Sequence, residues 1–299
     1  MRVLNFGSMN IDTVFSVSHA VLAGESLAVS NPEIHAGGKG LNQSIAAARA
    51  GAKVFHAGCA GNDGEFLLRF LEENGVDVSC VAQGQTVRCG GAIIQVEPGG
   101  RNTMLIYGGA NGRLDETQIE SVFTFFDRGD ILMLQNETNL TPSILCRGSE
   151  KGMYIIYNPS PVTPEIFSMP YHLVDLLIVN EDEATALTGS NGSPKEMLLR
   201  LHQICPNTIV LTMGQCGSFA FDKGVTYYQD IFPVQSIDTT GAGDTFAGYL
   251  AAGMASGELL SAAMRTAAAA AALAVTRHGA AESIPARNEV ITFLSKQGS

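Results

Sequence analysis

The chain lacks any concentration of positive charge. Its 299 residues include 18 Lys and Arg against 29 Asp and Glu, a formal net charge of −11. A protein that grips a phosphate backbone needs a basic patch, so nucleic acid is not an expected partner. A long apolar run is also missing. The longest, Ala267 to Val275, is about half of the roughly 20 residues a membrane span requires. The opening MRVLNFGSMNID reaches Asp12 before a signal-peptide core can form, so the expectation is a soluble, cytoplasmic chain without membrane contact.

Metal and redox spacings are absent as well. Cys59, Cys80, Cys89, Cys146, Cys205 and Cys216 form no C-x-x-C pair, and the histidines form no H-E-x-x-H. The cysteines read as reduced thiols, several in the core, with Cys216 also assigned to packing. Neither G-x-G-x-x-G nor a complete G-x-x-x-x-G-K-[ST] occurs, which removes the fingerprints of a dinucleotide-binding fold and a Walker A loop.

What is present is apolar. Hydrophobic residues make up 45% and charged residues 16%, enough for a sizeable core. Short runs at Val3–Phe6, Lys53–His56, Ile131–Leu134, Tyr154–Tyr157, Leu176–Val179 and Thr208–Leu211 are mostly apolar on both faces. Strands buried between two helical layers have that pattern. Between them lie helical patterns. Leu41, Ile45 and Ala48 share a face before Gly51 stops the helix, and Leu67, Phe70 and Leu71 share another before Gly75, with Asp63 as a candidate cap. Two more helices are expected near Asp244–Ser256 and Glu258–Arg277. The second is lined with Ala, which suggests a central position.

Alternating strand and helix predicts a single three-layer α/β/α domain around a mostly parallel sheet. Val14–His35 and Val87–Tyr107 break the rhythm. The second contains a hairpin pattern around Pro98-Gly99-Gly100, and together they predict a small β-sheet lid over about 13–35 and 88–108. Several runs end in polar residues: Asn136-Glu137, Asn158, Asn180 and Thr212. Ligands of open parallel sheets bind beyond such strand ends, although ordinary loop polarity gives the same pattern.

Three segments carry chemistry. In Asp238-Thr239-Thr240-Gly241-Ala242-Gly243-Asp244-Thr245-Phe246, the glycines expose backbone N–H groups at a helix N-terminus, an anion site for a phosphoryl group in flight. Asp244 at its mouth is placed to take a proton from an attacking hydroxyl; the alternative is a helix cap. Gly37-Gly38-Lys39-Gly40-Leu41-Asn42 lets backbone approach a ligand, with Lys39 and Asn42 as donors, or is only a helix-start turn. Asp12, after the first strand, can accept two hydroxyl hydrogens of a polyol.

In this order the segments resemble the ribokinase (PfkB) family of carbohydrate kinases. Gly-Ser-Met-Asn-Ile-Asp is similar to its opening, Gly-Gly-Lys-Gly-Leu-Asn-Gln to its first signature, and Asp-Thr-Thr-Gly-Ala-Gly-Asp-Thr-Phe to its second. The resemblance continues through Ala-Val-Thr-Arg-His-Gly-Ala at 274–280. It implies transfer of the ATP γ-phosphoryl group to a terminal hydroxyl, D-ribose being the expected sugar, with Mg²⁺ and activation by a monovalent cation such as K⁺. Asp244 would be the base, and the amides of Gly241, Ala242 and Gly243 the anion hole. Asn10, Asp12, Gly38, Lys39, Gly40, Asn42, Glu137 and Asp244 would hold the sugar. Asn180, Glu183, Thr212, Gly214, Gly217 and Gly243 would line the nucleotide site. Asp238, Thr240, Ala274, Arg277, Gly279 and Ser283 would supply the cation's oxygens. The chain departs from the family at Asp182, an acid where Thr is usual. A nucleoside or another sugar as acceptor, a non-catalytic sensor, and dimerisation through the lid remain alternatives.

Overall fold

The structure, a computed structural model, describes residues 1–84, 86–99 and 101–297. Gly100 of the expected hairpin turn therefore lies outside the described residues. A nine-stranded sheet forms the centre, with strands β1 (Arg2–Phe6), β4 (Lys53–Ala60), β5 (Val76–Gln83), β8 (Ile131–Gln135), β9 (Tyr154–Asn158), β10 (Leu176–Asn180), β11 (Thr208–Thr212), β12 (Ser218–Asp222) and β13 (Val225–Gln229). Their order is β13-β12-β11-β10-β9-β8-β1-β4-β5, parallel except at β11–β12–β13. All six apolar runs are strands. The β12–β13 hairpin was not anticipated, although Lys223-Gly224, both at positive φ, is a two-residue turn between alternating segments.

Alternate side chains of each strand enter different cores. Val3, Ile131 and Met133 pack beneath α1 (Lys39–Arg49), α2 (Glu65–Glu73), α7 (Ala242–Ala255), α8 (Leu260–Ala274) and α9 (Arg287–Gln297). Leu4, Phe6, Leu132 and Leu134 pack against α3 (Glu116–Phe123), α4 (Thr141–Glu150), α5 (Glu181–Thr188) and α6 (Pro194–Ile204). That is the expected three-layer architecture, and it explains why the strands read apolar on both faces.

Two helix expectations change. The central helix is α7, buried along nearly its whole length, whereas Ala-rich α8 packs one face on it and exposes Ser261, Ala262 and Arg265. Small residues allow the contact: a Cβ on Gly248 would sit 2.4 Å from Ala46 Cβ of α1, and one on Gly253 2.7 Å from Ala263 Cβ. Asp63 is not the cap of α2, whose N-cap is Gly64 with no side-chain bond. Its carboxylate accepts from the Cys89 N–H at 2.7 Å and from Arg88 Nε at 2.8 Å, because it faces the segment that follows β5.

The second sheet consists of β2 (Asn10–Ser16), β3 (Glu33–Gly37), β6 (Gly91–Val96) and β7 (Asn102–Tyr107), in the order β3-β2-β6-β7. Both irregular segments thus pair as anticipated. Among the described residues, no helix is long and apolar enough to cross a membrane.

Candidate active site

The chain lays β1, β4 and β5 in one direction, then returns to place β8 on the other side of β1. A crevice opens at such a reversal beyond the strand ends. Ser8 follows β1 and Glu137 follows β8, and the Ser8 hydroxyl donates to the Glu137 carboxylate across that gap. The Lys39 N–H donates to the same carboxylate oxygen at 2.9 Å. The glycine loop reaches this point because Gly7 and Gly40 touch backbone to backbone. A Cβ on either would lie 2.4 Å from the other's Cα.

Asp12 enters from β2. Its Oδ1 accepts from the Ala92 N–H at 3.1 Å, and its Oδ2 lies over Gly37, where a Cβ would be 2.0 Å away. Burial pushes its carboxyl up to about 6, with the nearby Glu137 charge adding to the rise. Glu137 is raised as well by burial, against the opposing help of Ser8 and Lys39. Lys39 is held above its ordinary value by the Asp244 charge first, and also by Glu137 and Glu183. Asn10 accepts from Asn111 Nδ2 at 2.8 Å, which fixes its amide.

Asp244 lies in the first turn of α7 without capping it; the N-cap is Gly241 in the left-handed region, with no side-chain cap bond. The buried carboxylate instead accepts from Asn42 Nδ2 at 3.0 Å and from Gln43 Nε2 at 2.9 Å. Gln43 was missed as a site residue, though it stands in the quoted signature next to Asn42. Asn42 Oδ1 is buried with no partner, an acceptor open to a hydroxyl. Of the three amides expected in the anion hole, that of Ala242 donates to the Thr239 carbonyl at 3.3 Å. The N–H groups of Gly241 and Gly243 have no partner among the described residues. A Cβ on Gly243 would meet nothing within 4 Å, so open space stands above the helix end.

Asn180 and Glu183 form a complete capping box for α5, and Glu183 also accepts from Asn158 Nδ2 at 3.3 Å. Asp182 is exposed in the first turn of that helix, where its charge suits the dipole. Thr212 ends β11, and Gly214 and Gly217 turn the chain at φ 52° and 82°. A Cβ on Gly217 would strike the Gln229 carbonyl at 2.4 Å. Cys216 in this turn is exposed, as is Cys146, which corrects the packing assignment; the other four cysteines are buried.

The proposed cation loops are tied together. Asp238 accepts from the Thr240 N–H at 2.9 Å and the Gly279 N–H at 3.0 Å. Burial works to raise the Asp238 carboxyl, but these bonds outweigh it and hold it below the usual range. Ile237 N–H donates to the Val275 carbonyl at 2.7 Å, next to Ala274, and Ser283 donates to Ala280 O at 2.8 Å. The Arg277 side chain pairs with Glu289, which leaves only its backbone carbonyl for the proposed cation set. Among the described residues, no three His, Cys, Asp or Glu side chains gather as a metal-holding group. A cavity of about 330 Å³ opens at the far end of α7 between Lys53, Glu258 and Arg287, and takes no part in this site.

A buried carboxylate in the first turn of a helix, with Lys39 and Glu137 near it at a strand-end crevice, is a geometry suited to moving a phosphoryl group onto an alcohol. The model of the pfkB family carbohydrate kinases matches residues 2–287. The chain belongs to that family. A ribokinase of Haemophilus influenzae is 34% identical over 299 residues, with 96% of each chain covered. The ribokinase of Cryptococcus neoformans var. grubii, solved with ADP, superposes with a TM-score of 0.85 at 32% identity, covering 97% of this chain and 99% of that one. The Arabidopsis thaliana ribokinase, solved with ribose and ATP, gives 0.88 at 28% identity and 98% coverage of both. Family membership makes the chain an ATP-dependent kinase of the carbohydrate type.

Proposed function

We propose that this kinase transfers the γ-phosphoryl group of ATP to the terminal primary hydroxyl of D-ribose, giving D-ribose 5-phosphate. The observation that carries the reading is Asp244. Its carboxylate stands at the N-terminus of α7 without capping it, held by Asn42 and Gln43 from the glycine-loop helix. Asp12 and Glu137 offer acceptors for the ring hydroxyls, Lys39 and Asn10 offer donors, and the open acceptor of Asn42 faces the same chemistry. The likeness to ribokinases, one of them solved with ribose and ATP, supports ribose among sugars.

Asp244 receives the hydroxyl proton as the new O–P bond forms and the bond from the γ-phosphorus to the bridging oxygen of ADP breaks, and the Gly241 and Gly243 N–H groups stabilise charge on the transferring group. The free space above Gly243 and the turn at Gly214 fit a nucleotide's phosphates. Glu183, with Asn158 bonded to it, would help to hold Mg²⁺, which would supply neutralisation of phosphate charge. Carbonyls near Ala274, with Asp238, Thr240 and Ser283, fit a K⁺-type ion because they supply oxygen only. The small sheet serves as a lid that keeps water from the phosphate. Ile34, Ile93, Leu105, Ile106 and Tyr107 are exposed on it, and a second copy of the chain covers them in a dimer.

The test is ADP release with Mg-ATP across pentoses, ketohexoses and nucleosides, with and without potassium, for the wild type and Asp244→Asn. General-base catalysis is typically worth about 10²–10⁴-fold. The expected result is potassium-stimulated turnover on ribose that Asp244→Asn lowers by that factor. Preference for a nucleoside would move the substrate, and binding of ribose and ATP without ADP would make the chain a sensor.

A further inference from the structure

We propose that Gln43 is a positioning residue for phosphoryl transfer: its amide sets the plane of the Asp244 carboxylate, and Gln135 and Asn5 behind it fix which way that amide faces. The inference rests on the reading of Asp244 as the base.

Every polar atom of the Gln43 amide is used. Nε2 donates to Asp244 Oδ1 at 2.9 Å and to Asn158 Oδ1 at 3.1 Å, while Oε1 accepts from Gln135 Nε2 at 2.7 Å. Gln135 spends its second N–H on Asn5 Oδ1 at 2.9 Å. Asn5 Nδ2 donates to the Gly40 carbonyl and to Ser44 Oγ, both at 2.8 Å. Gln43, Gln135 and Asn5 are each at most 1% exposed.

The direction of this chain is not free. The Gly40 carbonyl can only accept, so the Asn5 amide must turn its N–H groups toward it. That leaves Asn5 Oδ1 as the acceptor for Gln135, whose other N–H then faces Gln43 Oε1. The Gln43 N–H groups are thereby aimed at Asp244. Asn158 is fixed in the same way, because its Nδ2 donates to the Ile178 carbonyl at 3.0 Å. Turning the Gln43 amide over would set its oxygen against both Asp244 Oδ1 and Asn158 Oδ1, and its N–H groups against those of Gln135. Burial makes each mismatch expensive. With Asn42 on Oδ2 and Gln43 on Oδ1, the carboxylate cannot rotate about its terminal bond. Its remaining lone pairs therefore keep one direction toward the attacking hydroxyl. A misplacement of about 1 Å in such a site costs about 10²-fold.

The experiment uses the full chain with D-ribose and Mg-ATP, comparing the wild type with Gln43→Met, Gln135→Met, Asp244→Asn and the Gln43→Met/Asp244→Asn pair. Methionine keeps an unbranched side chain of similar volume and offers no donor. For Gln43→Met the expected result is a kcat about 10–100-fold lower, the worth of a hydrogen bond to a charged group, with both KM values within about threefold. Gln135→Met leaves Gln43 in place but free to turn, and is expected to lose about 3–10-fold in kcat. It carries the test alone if Gln43→Met does not fold by circular dichroism. In the Asp244→Asn background, Gln43→Met should change the residual rate by less than about threefold, because it acts only through the carboxylate. Near wild-type kcat in both single Met variants overturns the proposal, as does an undiminished Gln43→Met effect once Asp244 is gone. If Asp244→Asn itself turns over normally, the base assignment falls and this inference with it. An inactive Asp244→Asn beside normal Met variants removes only the inference.

Discussion

Replacing Asp12 with Asn separates what the residue costs the fold from what it does for the sugar. Burial lifts the Asp12 carboxyl from 3.8 to about 6 in the folded chain. A raised carboxyl means the folded state favours the protonated form. That contribution to stability is fully present below about 3.8 and is lost as pH rises through about 6. At pH 7.5 the ionised carboxylate costs about 3 kcal/mol, from roughly two units at 1.36 kcal/mol each. Asparagine is neutral at every pH, and its Oδ1 can still accept the Ala92 N–H. Asp12→Asn is therefore expected to be more stable than wild type in urea at pH 7.5 by up to about 3 kcal/mol. The gain should shrink through pH 6 and vanish below about 4. Calorimetry should show the opposite for the ligand. An amide cannot accept from two hydroxyls with charge, and losing one such bond weakens ribose binding about 10–100-fold. Wild-type ribose affinity should also fall as pH drops through about 6, while the variant's stays flat. Equal stability at pH 7.5 would refute the burial argument. Ribose affinity changed by less than about threefold would refute the contact.

Gly40→Ala places a Cβ 2.4 Å from both Gly7 Cα and Ser8 N, so the glycine loop must move off the strand end. Overpacking of this kind costs about 1–3 kcal/mol, and a fall in kcat/KM of at least about tenfold is expected alongside a lower Tm. Under native conditions two thiols, Cys146 and Cys216, should react with a disulfide reagent, with the buried four following only in denaturant. Saturating Mg-ATP should slow the Cys216 reaction selectively, read by mass spectrometry; equal rates would place the nucleotide elsewhere. Leu105→Glu puts a charge on the exposed strand β7, and, if the proposed dimer forms there, light scattering should show a dimer of the parent chain becoming monomeric.

The central strands were legible because each is apolar on both faces, which few other environments permit. The candidate site residues stood out only through their joint order, because each glycine segment taken alone is equally a plain helix-start turn. Asp63 was misplaced for a reason of range: its partners, Arg88 and the Cys89 N–H, lie 25 and 26 residues away, beyond any local capping rule. Gln43 was passed over because a glutamine inside a helix carries no local signal. Its meaning comes from Gln135 and Asp244, 92 and 201 residues distant. Cys216 looked like packing because composition cannot tell the outside of a tight turn from its inside. The prominence of α7 over α8 was hidden for a similar reason. Alanine allows close packing but does not require it, whereas Gly248 and Gly253 mark where helices do meet.

The two carboxylates of the proposed reaction are carried by separate pieces of the molecule. Asp12 rides on the small four-stranded sheet, while Asp244 rides on a helix wedged between α1 and α8. The part of the acceptor contact that Asp12 makes can therefore change through β2, β3, β6 and β7, while Glu137, Lys39 and Asn42 stay with the main domain. The α1–α7 seam, by contrast, has no room for a larger side chain at Gly248. A substitution that reshapes the small sheet is therefore tolerated at positions where one in that seam is not.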